Sequence, residues 1–458
     1  MSATLKTLRG LPGPAGKDPR IDLLEAQNAG ARADFSKTRD YAHRAADEAT
    51  SIGARYLYAR ARLLQSGATL NLGDMNGLAL LTEARNRCEE IGDRSCVSQA
   101  WRIRGNTQVA LANFSAAQES YMTGLAIARE LGDRGEISKI LTGLGVVARS
   151  RRDWPQAEQT LREAITLRIE TGYSPSEVQI NLADLYLEIG RSSDALKTLE
   201  SAEKAAAGDQ QTRGEALRMK AMIARSAGRL DEAQQLAENA VAQLRPTKGR
   251  GALTLAVVEL SSILTARGEL KRAEGLLAEA AAGPLPELAG SIDLARAEFL
   301  LASGKFEESN NAAKSAALDF GKANLDVESA QALTVQADAL EMLGRRDEAL
   351  AAASEAEQRA ARTPNQLSAA SPRLAMWRLA ADPRGALPPE LKAAIANLRN
   401  PELDLAELYS RAIRAQRAGL SEQDRLFQEL TKTAANLGYV TWSRRAQAIG
   451  AGRLRSQD

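Results

Sequence analysis

The chain has 458 residues, of which 44% are hydrophobic and only 4% aromatic. Its 60 lysines and arginines nearly balance 58 aspartates and glutamates, which leaves a formal net charge of +2. This balance argues against a protein that binds nucleic acid through the phosphate backbone. No apolar run approaches the roughly 18 residues that a transmembrane helix needs. We therefore expect a cytoplasmic chain without a membrane partner.

The N-terminal segment, residues 1–19, combines basic residues with prolines at positions 12, 14 and 19. It contains no apolar run long enough for a secretory signal. Prolines at this density interrupt helices and favour turns. We predict a flexible tail or linker.

A unit of two apolar runs joined by a turn then recurs nine times. The small residues that open the second run of each unit are Thr38, Gly77, Ala117, Ala157, Ala195, Ala233, Ala273, Ser309 and Ala349. From the first to the last is 311 residues in eight steps, or about 39 residues per step. The turns between units contain Gly53, Gly92, Gly132 and Gly172. A glycine there ends a helix in the left-handed conformation.

The pattern within the units is helical. Apolar residues between Ile180 and Ile189 recur at helical spacing, and Gly190 ends the segment. No comparable stretch alternates with the period of two that a strand requires. We predict an all-α solenoid of about nine helix pairs over residues 20–362, in which each pair packs on the next.

The order of small and apolar positions resembles the tetratricopeptide repeat. The residues that carry the resemblance are Gly105, Ala117 and Tyr121, which return forty positions later as Gly145, Ala157 and Leu161. The unit is longer than the usual 34 residues, and Lys220 and Ser309 depart from the pattern. The resemblance implies an α-α superhelix whose first helices line a concave face.

A narrower resemblance rests on the segment 18–23 and on Gly438, Tyr439 and residues 444–446 near the end. These are similar to the C-terminal tetratricopeptide region of bacterial serine/threonine kinases and winged-helix transcriptional regulators. In those proteins the repeats follow an effector domain. The resemblance therefore raises the alternative that this chain is a sensory or regulatory arm detached from a kinase or transcription-regulator effector domain.

Proline changes the organisation near the C-terminus. The prolines that break the repeat are Pro364, Pro372, Pro383, Pro388, Pro389 and Pro401. Beyond them, residues 403–417 and 422–448 have the pattern of two amphipathic helices. We predict that residues 363–458 form a proline-interrupted helical cap, because the last unit of a solenoid must shield an apolar face.

Catalytic motifs are incomplete in this chain. Residues 143–148 spell the dinucleotide fingerprint, but no strand precedes them as that fingerprint requires. Residues 10–17 have the wrong glycine spacing for a phosphate-binding loop. The single histidine, His43, is followed by Arg44 and Ala45 and not by the arginine and aspartate of a kinase. We predict no enzymatic activity and no cofactor.

Metal and disulfide chemistry is limited by composition. His43, Cys88 and Cys96 are too few for a zinc site with four protein ligands, so we predict no metal. The two cysteines lie on either side of the turn at Gly92. They form either a redox pair or two separate thiols, and in a reducing compartment we expect separate thiols.

The resemblance implies that polar side chains on the first helices hold a ligand. The predicted residues are Gln99, Arg102, Asn106, Lys139, Thr142, Arg149, Asn181, Asp184, Arg218 and Arg225. Cations outnumber anions in this set, and arginine forks and asparagine amides suit carboxylates and peptide backbones. We predict a non-enzymatic scaffold that binds a protein or an acidic peptide. The alternative is that these positions are ordinary solvated side chains.

Overall fold

The computed structural model describes residues 2–11, 13–206, 208–247, 249–283 and 285–450. Met1, Pro12 and residues 451–458, which belong to the predicted tail and cap, lie outside these ranges. The described residues form 24 α-helices and two short 3-10 helices without a β-strand, which confirms the all-α prediction. None of these helices is long and apolar enough to cross a membrane.

The chain divides into two compact units between Asn181 and Leu182. Unit 1 comprises residues 1–181 and unit 2 comprises residues 182–458. This division differs from the predicted boundaries at residues 19/20 and 362/363, which stay predictions.

Nine helix pairs follow one another within the described residues. The first or A helices are α2 (Pro19–Gly30), α4 (Arg55–Asn71), α6 (Arg94–Ala110), α8 (Arg134–Ser150), α10 (Ser176–Glu188), α12 (Gln210–Ser226), α14 (Arg250–Ala266), α16 (Ala289–Ala302) and α18 (Asp326–Met342). The second or B helices are α3 (Phe35–Ser51), α5 (Gly77–Glu90), α7 (Phe114–Glu130), α9 (Trp154–Glu170), α11 (Ser192–Ala205), α13 (Leu230–Leu244), α15 (Leu270–Ala281), α17 (Phe306–Lys322) and α19 (Arg346–Ala360). One further helix, α1 (Ser2–Arg9), precedes them.

The small residue of each unit lies where the A and B helices touch. It is the fourth residue of every B helix except α5, which begins at Gly77 itself. All nine are buried, so a larger side chain would separate the two helices. Ser309 keeps the pattern although it is polar, because its hydroxyl donates to the Ala297 carbonyl of α16 at 2.8 Å. The predicted repeat is confirmed.

The turns from one pair to the next contain the predicted left-handed glycines. Gly92 and Gly132 have φ values of 72° and 65° and end α5 and α7. The aspartate that follows each glycine starts the next A helix. Asp93 accepts the Cys96 backbone N–H at 3.1 Å, and Asp133 caps α8 in the same way. The Gly-Asp turn thus stops one helix and caps the next.

A disulfide joins Cys88 at the end of α5 to Cys96 at the start of α6. Both residues are fully buried, and their Cα atoms are 5.8 Å apart. The expectation of two separate thiols is therefore wrong for this structure. The bond links two consecutive pairs across the Gly92 turn.

Helix α1 occupies part of the segment for which a flexible tail was predicted. Arg9 donates to both carboxylate oxygens of Asp22 at 2.9 and 2.7 Å, and Arg44 of α3 donates to the same carboxylate at 2.8 Å. Burial raises the pKa of Asp22, but the two guanidiniums outweigh it and hold the pKa below its ordinary value. This buried carboxylate, paired with two partly exposed arginines, attaches α1 to the first helix pair.

Five helices follow the last pair: α20 (Gln366–Leu379), α21 (Pro389–Leu398), α22 (Pro401–Arg417), α23 (Gln423–Asn436) and α24 (Val440–Gly450). The predicted second helix over 422–448 is two helices, because the backbone at Gly438 is left-handed with φ of 79°. The two are joined by a short turn, and Leu430 and Tyr439 are part of a common core with α22.

The starts of α20, α22 and α24 lie against the ends of earlier A helices within unit 2. Asn365 Nδ2 donates to the Leu187 carbonyl of α10 at 3.2 Å, across 178 residues of sequence. Asn400 Nδ2 donates in the same way to the last residue of α12, across 174 residues. Thr441 Oγ1 donates to the last residue of α14 at 3.3 Å, across 175 residues. The C-terminal helices therefore contact three repeats and not only the preceding one.

Candidate functional site

Polar side chains of α6 and α8 form one surface in unit 1, which we call the unit 1 A face. Helical spacing places Gln99, Arg102 and Asn106 on one side of α6. Lys139 and Arg149 lie on α8, in the next pair. Together with Thr142 of α8, these five are the predicted ligand residues that belong to two consecutive repeats of unit 1.

Glu136 connects the two helices of this face. Its side chain is 3% exposed, and it accepts a hydrogen bond from Arg102 Nε at 2.7 Å. Lys139 Nζ lies 3.9 Å from its second oxygen, with 54% of the lysine side chain exposed. One buried carboxylate thus faces two cations, so the cluster keeps a positive charge that a ligand can reach at Lys139.

Asn106 is exposed and is oriented by a buried tyrosine. The Tyr121 hydroxyl donates to Asn106 Oδ1 at 2.7 Å, so the Asn106 amide directs its two N–H groups elsewhere. Burial raises the pKa of Tyr121 to about 12, although Arg102 opposes the shift. The tyrosine therefore remains a hydrogen-bond donor at physiological pH.

Two of the predicted residues contribute less to this surface. Gln99 is half-buried, and its Nε2 donates to Ser95 Oγ at 3.4 Å. Thr142 is buried, and its hydroxyl donates to the Ser138 carbonyl at 2.9 Å within α8. The Thr142 hydroxyl is therefore bonded within α8 and is not presented on the unit 1 A face.

The remaining predicted residues do not join this cluster. Asn181 is the last residue of unit 1, and its Nδ2 donates to the Glu177 carbonyl at 3.3 Å within α10. Asp184, Arg218 and Arg225 belong to unit 2. Seven of the ten predicted residues thus lie in unit 1 and three in unit 2.

Arg225 is engaged with other residues of unit 2. Its Nε donates to Glu259 at 2.8 Å, and its backbone carbonyl accepts the Tyr439 hydroxyl at 3.4 Å. Attraction to Glu259 raises the pKa of Arg225, although burial opposes the shift. Arg218 lies about two turns earlier in α12, with Nη1 at 3.0 Å from Met222 Sδ.

Sequence reasoning missed the acidic partners of the A helices. Arg102 pairs with Glu136 and Arg225 pairs with Glu259, in both cases 34 residues later. The available signal was an acidic residue that recurs 34 residues, or about one repeat, after an arginine. These acids reduce the cation excess that the ten predicted residues display by themselves.

A groove of about 660 Å³ lies on the other side of unit 1, where α7 and α9 diverge over α8. The residues that line it are Gln118, Met122, Leu125, Arg129, Leu141, Leu144, Val147, Ala148, Arg151, Asp153, Gln156, Thr160 and Glu163. It contains none of the predicted ligand residues. The groove is therefore a separate surface from the unit 1 A face.

Comparisons with known proteins agree with this architecture. The family profile of the tetratricopeptide repeat matches residues 136–207. No curated protein matches this sequence.

Solved structures match over most of the chain. The Rap protein complexed with Competence and Sporulation Factor has a TM-score of 0.55 at 14% identity, over 75% of this chain and 99% of that one. The apo form of the quorum sensor NprR from B. thuringiensis has a TM-score of 0.51 at 15% identity, over 74% and 98%. The apo form of RapI has a TM-score of 0.52 at 11% identity, over 74% and 97%.

The fold is a tetratricopeptide-type helical repeat. The matched stretch begins in α8 and includes α9, the tetratricopeptide pair that carries Lys139 and Arg149. The identities are too low to transfer more than the fold. The narrower resemblance to the repeat regions of kinases and winged-helix regulators is not shown by these matches and stays a hypothesis.

Proposed function

We propose that this chain is a non-enzymatic scaffold that binds a protein or peptide segment on the unit 1 A face, the predicted concave groove. The observation that carries the proposal is the cluster at Glu136. Arg102 satisfies this buried carboxylate, and Lys139 adds an exposed cation beside it. A positive charge held in place by a buried acid is a fixed partner for a carboxylate.

The chemistry around Lys139 fits an extended acidic segment. The amides of Gln99 and Asn106 match the donors and acceptors of a peptide backbone. Lys139 and Arg149 supply the cations for acidic side chains or a chain terminus. We therefore keep an acidic peptide as the ligand class, with Asp184, Arg218 and Arg225 as proposed ligand residues of a separate face in unit 2.

The fold comparison supports binding as the general role. Rap has the same type of fold and was solved in complex with Competence and Sporulation Factor. We also place the scaffold in the cytoplasm, as the sequence predicts, although a disulfide such as that between Cys88 and Cys96 is rare in that compartment. No observation favours the alternative of a sensory arm, and a kinase or transcription regulator among the captured partners would supply one.

Charge reversal at Lys139 tests the proposal. The full chain, immobilised through its C-terminus, captures partners from its own cells, and the captured proteins are quantified by mass spectrometry. We expect Lys139→Glu to lower capture of the main partner at least tenfold, because the substitution repels an acidic ligand. Arg129→Glu makes the same charge change at an exposed residue of α7 that lines the separate groove, and should leave capture within twofold.

Two results would contradict the proposal. If Lys139→Glu captures as much of the partner as wild type does, the unit 1 A face is not the binding site. An equal loss in both variants would indicate a general charge effect. Circular dichroism of both variants verifies that the helices are retained.

A further inference from the structure

A buried cluster in unit 2 holds the last helix in place. We call it the Tyr409 cluster, and its members are Asp338 and Glu341 of α18, Arg378 of α20, Tyr409 of α22 and Arg445 of α24. Tyr409 is fully buried. Two guanidiniums lie over its ring, with Arg378 Cζ at 5.0 Å and Arg445 Cζ at 4.2 Å from the ring centroid.

Arg445 supplies the charge that balances this cluster. Its Nη1 donates to Asp338 Oδ2 at 3.0 Å, and its Nη2 lies 3.8 Å from Glu341 Oε2. Arg378 pairs with the same two acids. Without α24, two carboxylates would face one guanidinium in a buried setting, which is costly unless a second cation is present. The cluster therefore forms a receptor for one arginine.

Not every polar atom of the Tyr409 cluster has a hydrogen-bond partner when α24 is in place. The Tyr409 hydroxyl is buried and makes no hydrogen bond with the described residues. Glu341 Oε2 and Arg445 Nη2 also lack a well-aligned hydrogen bond, although Glu341 Oε2 is ion-paired with Arg378 Nε at 2.9 Å and with Arg445 Nη2 at 3.8 Å. Buried polar atoms in folded proteins normally have a partner. An arginine presented with slightly different geometry, or with an additional donor nearby, would satisfy more of these atoms than α24 does.

The other polar contacts at the start of α24, including that of the preceding residue Tyr439, are long. Tyr439 Oη is 3.4 Å from the Arg225 carbonyl, and Thr441 Oγ1 is 3.3 Å from the Ala266 carbonyl. The helix has 11 residues, which is too short to be stable by itself in water. Most of its attachment therefore depends on Arg445 and on the apolar contacts of its inner side, where Trp442 packs edge-on against Tyr409.

We infer that the Tyr409 cluster is a binding site for an arginine on a basic helical segment, filled in this structure by the chain's own α24. An external basic helix with an arginine beside an aromatic residue competes with α24 for this site. The site lies in unit 2 and takes a basic ligand. It therefore stands whether or not the unit 1 A face binds an acidic one.

The short connection between α23 and α24 determines how competition for the Tyr409 cluster can be measured. Because the connection is short, α24 has an effective concentration in the millimolar range at its own site. A free peptide at micromolar concentration does not displace it from the wild-type chain. A substitution that weakens the packing of α24, but leaves the other residues of the Tyr409 cluster unchanged, makes the site available.

The experiment uses the full chain and a fluorescein-labelled peptide with the sequence of residues 438–450. We expect Arg445→Ala in the chain to raise peptide affinity at least tenfold over wild type in a fluorescence anisotropy titration. Arg444→Ala removes an exposed arginine from the same helix and should bind the peptide like wild type. Adding Asp338→Asn and Glu341→Gln to the Arg445→Ala chain should abolish the gain, and so should Arg445→Ala in the peptide.

Hydrogen exchange separates loss of α24 from general unfolding. In the Arg445→Ala chain, the amides of α24 should exchange faster while those of α18 and α22 keep their protection. If α18 and α22 also lose protection, the wild-type chain with millimolar peptide is used instead, and faster exchange of α24 indicates displacement. The inference is overturned if Arg445→Ala binds no better than Arg444→Ala, or if millimolar peptide leaves the exchange of α24 unchanged.

Discussion

Tyr121 shows how one side chain fixes two neighbouring repeats. Its ring packs against Gly105 of α6, where an added Cβ would lie 2.5 Å from Cε1, and against Gly143 of α8. The next glycine, Gly145, makes the same kind of contact with Leu161 one repeat later. The glycines that spell a dinucleotide fingerprint are therefore packing residues that let large side chains approach the backbone.

Gly143→Ala tests this packing. The added methyl would overlap the Tyr121 ring, so we expect the free energy of unfolding to fall by about 1–3 kcal/mol. Gly135→Ala in the same helix is the matched control, because its Cβ would make ordinary contacts at 3.5 and 3.6 Å. Urea denaturation of both variants measures the difference. Equal stability of the two would show that Tyr121 does not occupy this position.

Glu402 is a half-buried acid whose charge is unfavourable in the folded chain. Burial raises its pKa above the ordinary 4.5, Arg225 lowers it in part, and Glu298 raises it further. A carboxyl with a raised folded pKa stabilises the fold while it is protonated. That contribution is lost as the pH rises from the unfolded pKa through the folded one.

Glu402→Gln should therefore change the pH dependence of stability. The amide stays neutral at every pH, so we expect a higher melting temperature than wild type at pH 7.5 and a smaller difference at pH 4. Thermal melts at the two values measure this, with the exposed Glu390→Gln as control. A Glu402→Gln chain that melts below wild type at pH 7.5 would mean that the ionised carboxylate is favourable beside Arg225.

At the scale of elements, two asparagines each serve two helices. Asn400 Oδ1 accepts the Leu403 N–H at 2.8 Å and caps α22, while its Nδ2 donates to the Ser226 carbonyl at the end of α12. Asn365 does the same for α20 and α10. Aspartate caps equally well elsewhere in the chain, for example Asp153 at the start of α9, but it cannot donate.

Asn400→Asp separates the two roles. The substitution keeps the cap but removes the donated bond and places a carboxylate beside the carbonyl end of α12. We expect a loss of about 1–2 kcal/mol in the free energy of unfolding. Asp153→Asn is the control and should change stability by less than about 0.5 kcal/mol, because either residue caps a helix. If Asn400→Asp behaves like the control, the contact with α12 contributes nothing.

The contacts that could be predicted from the sequence are those of short range. The buried Ala157 and the left-handed Gly132 follow from one repeat and its neighbour, and the structure confirms both. The bond between Asn365 and Leu187 spans 178 residues, and no local pattern encodes it. The expectation for Cys88 and Cys96 was wrong for a different reason, because sequence spacing alone does not decide whether two thiols are joined.

The candidate site was predictable only in part for the same physical reason. Lys139 and Asn106 are placed by the repeat period, which the sequence displays. The neutralisation of Glu136 by Arg102 depends on the separation of α6 and α8, which appears only after the helices pack. Thr142 has a polar side chain at a suitable spacing, yet its hydroxyl is used within its own helix.

At the scale of the whole molecule, the two units carry different chemistry. The unit 1 A face presents a cation at Lys139, which suits an acidic partner. The Tyr409 cluster in unit 2 presents carboxylates to an arginine and is filled by α24. One chain thus combines a proposed site for an acidic segment in unit 1 with one for a basic segment in unit 2.

Photo-crosslinking tests the central claim most directly. The full chain carries p-benzoylphenylalanine either at Gln99, on the unit 1 A face, or at Gln118, in the groove between α7 and α9. We expect the partner to crosslink from Gln99 and not from Gln118, and the Gln99 crosslink to disappear with Lys139→Glu. A partner that crosslinks from Gln118 alone would contradict the account and would place the binding site on the B helices.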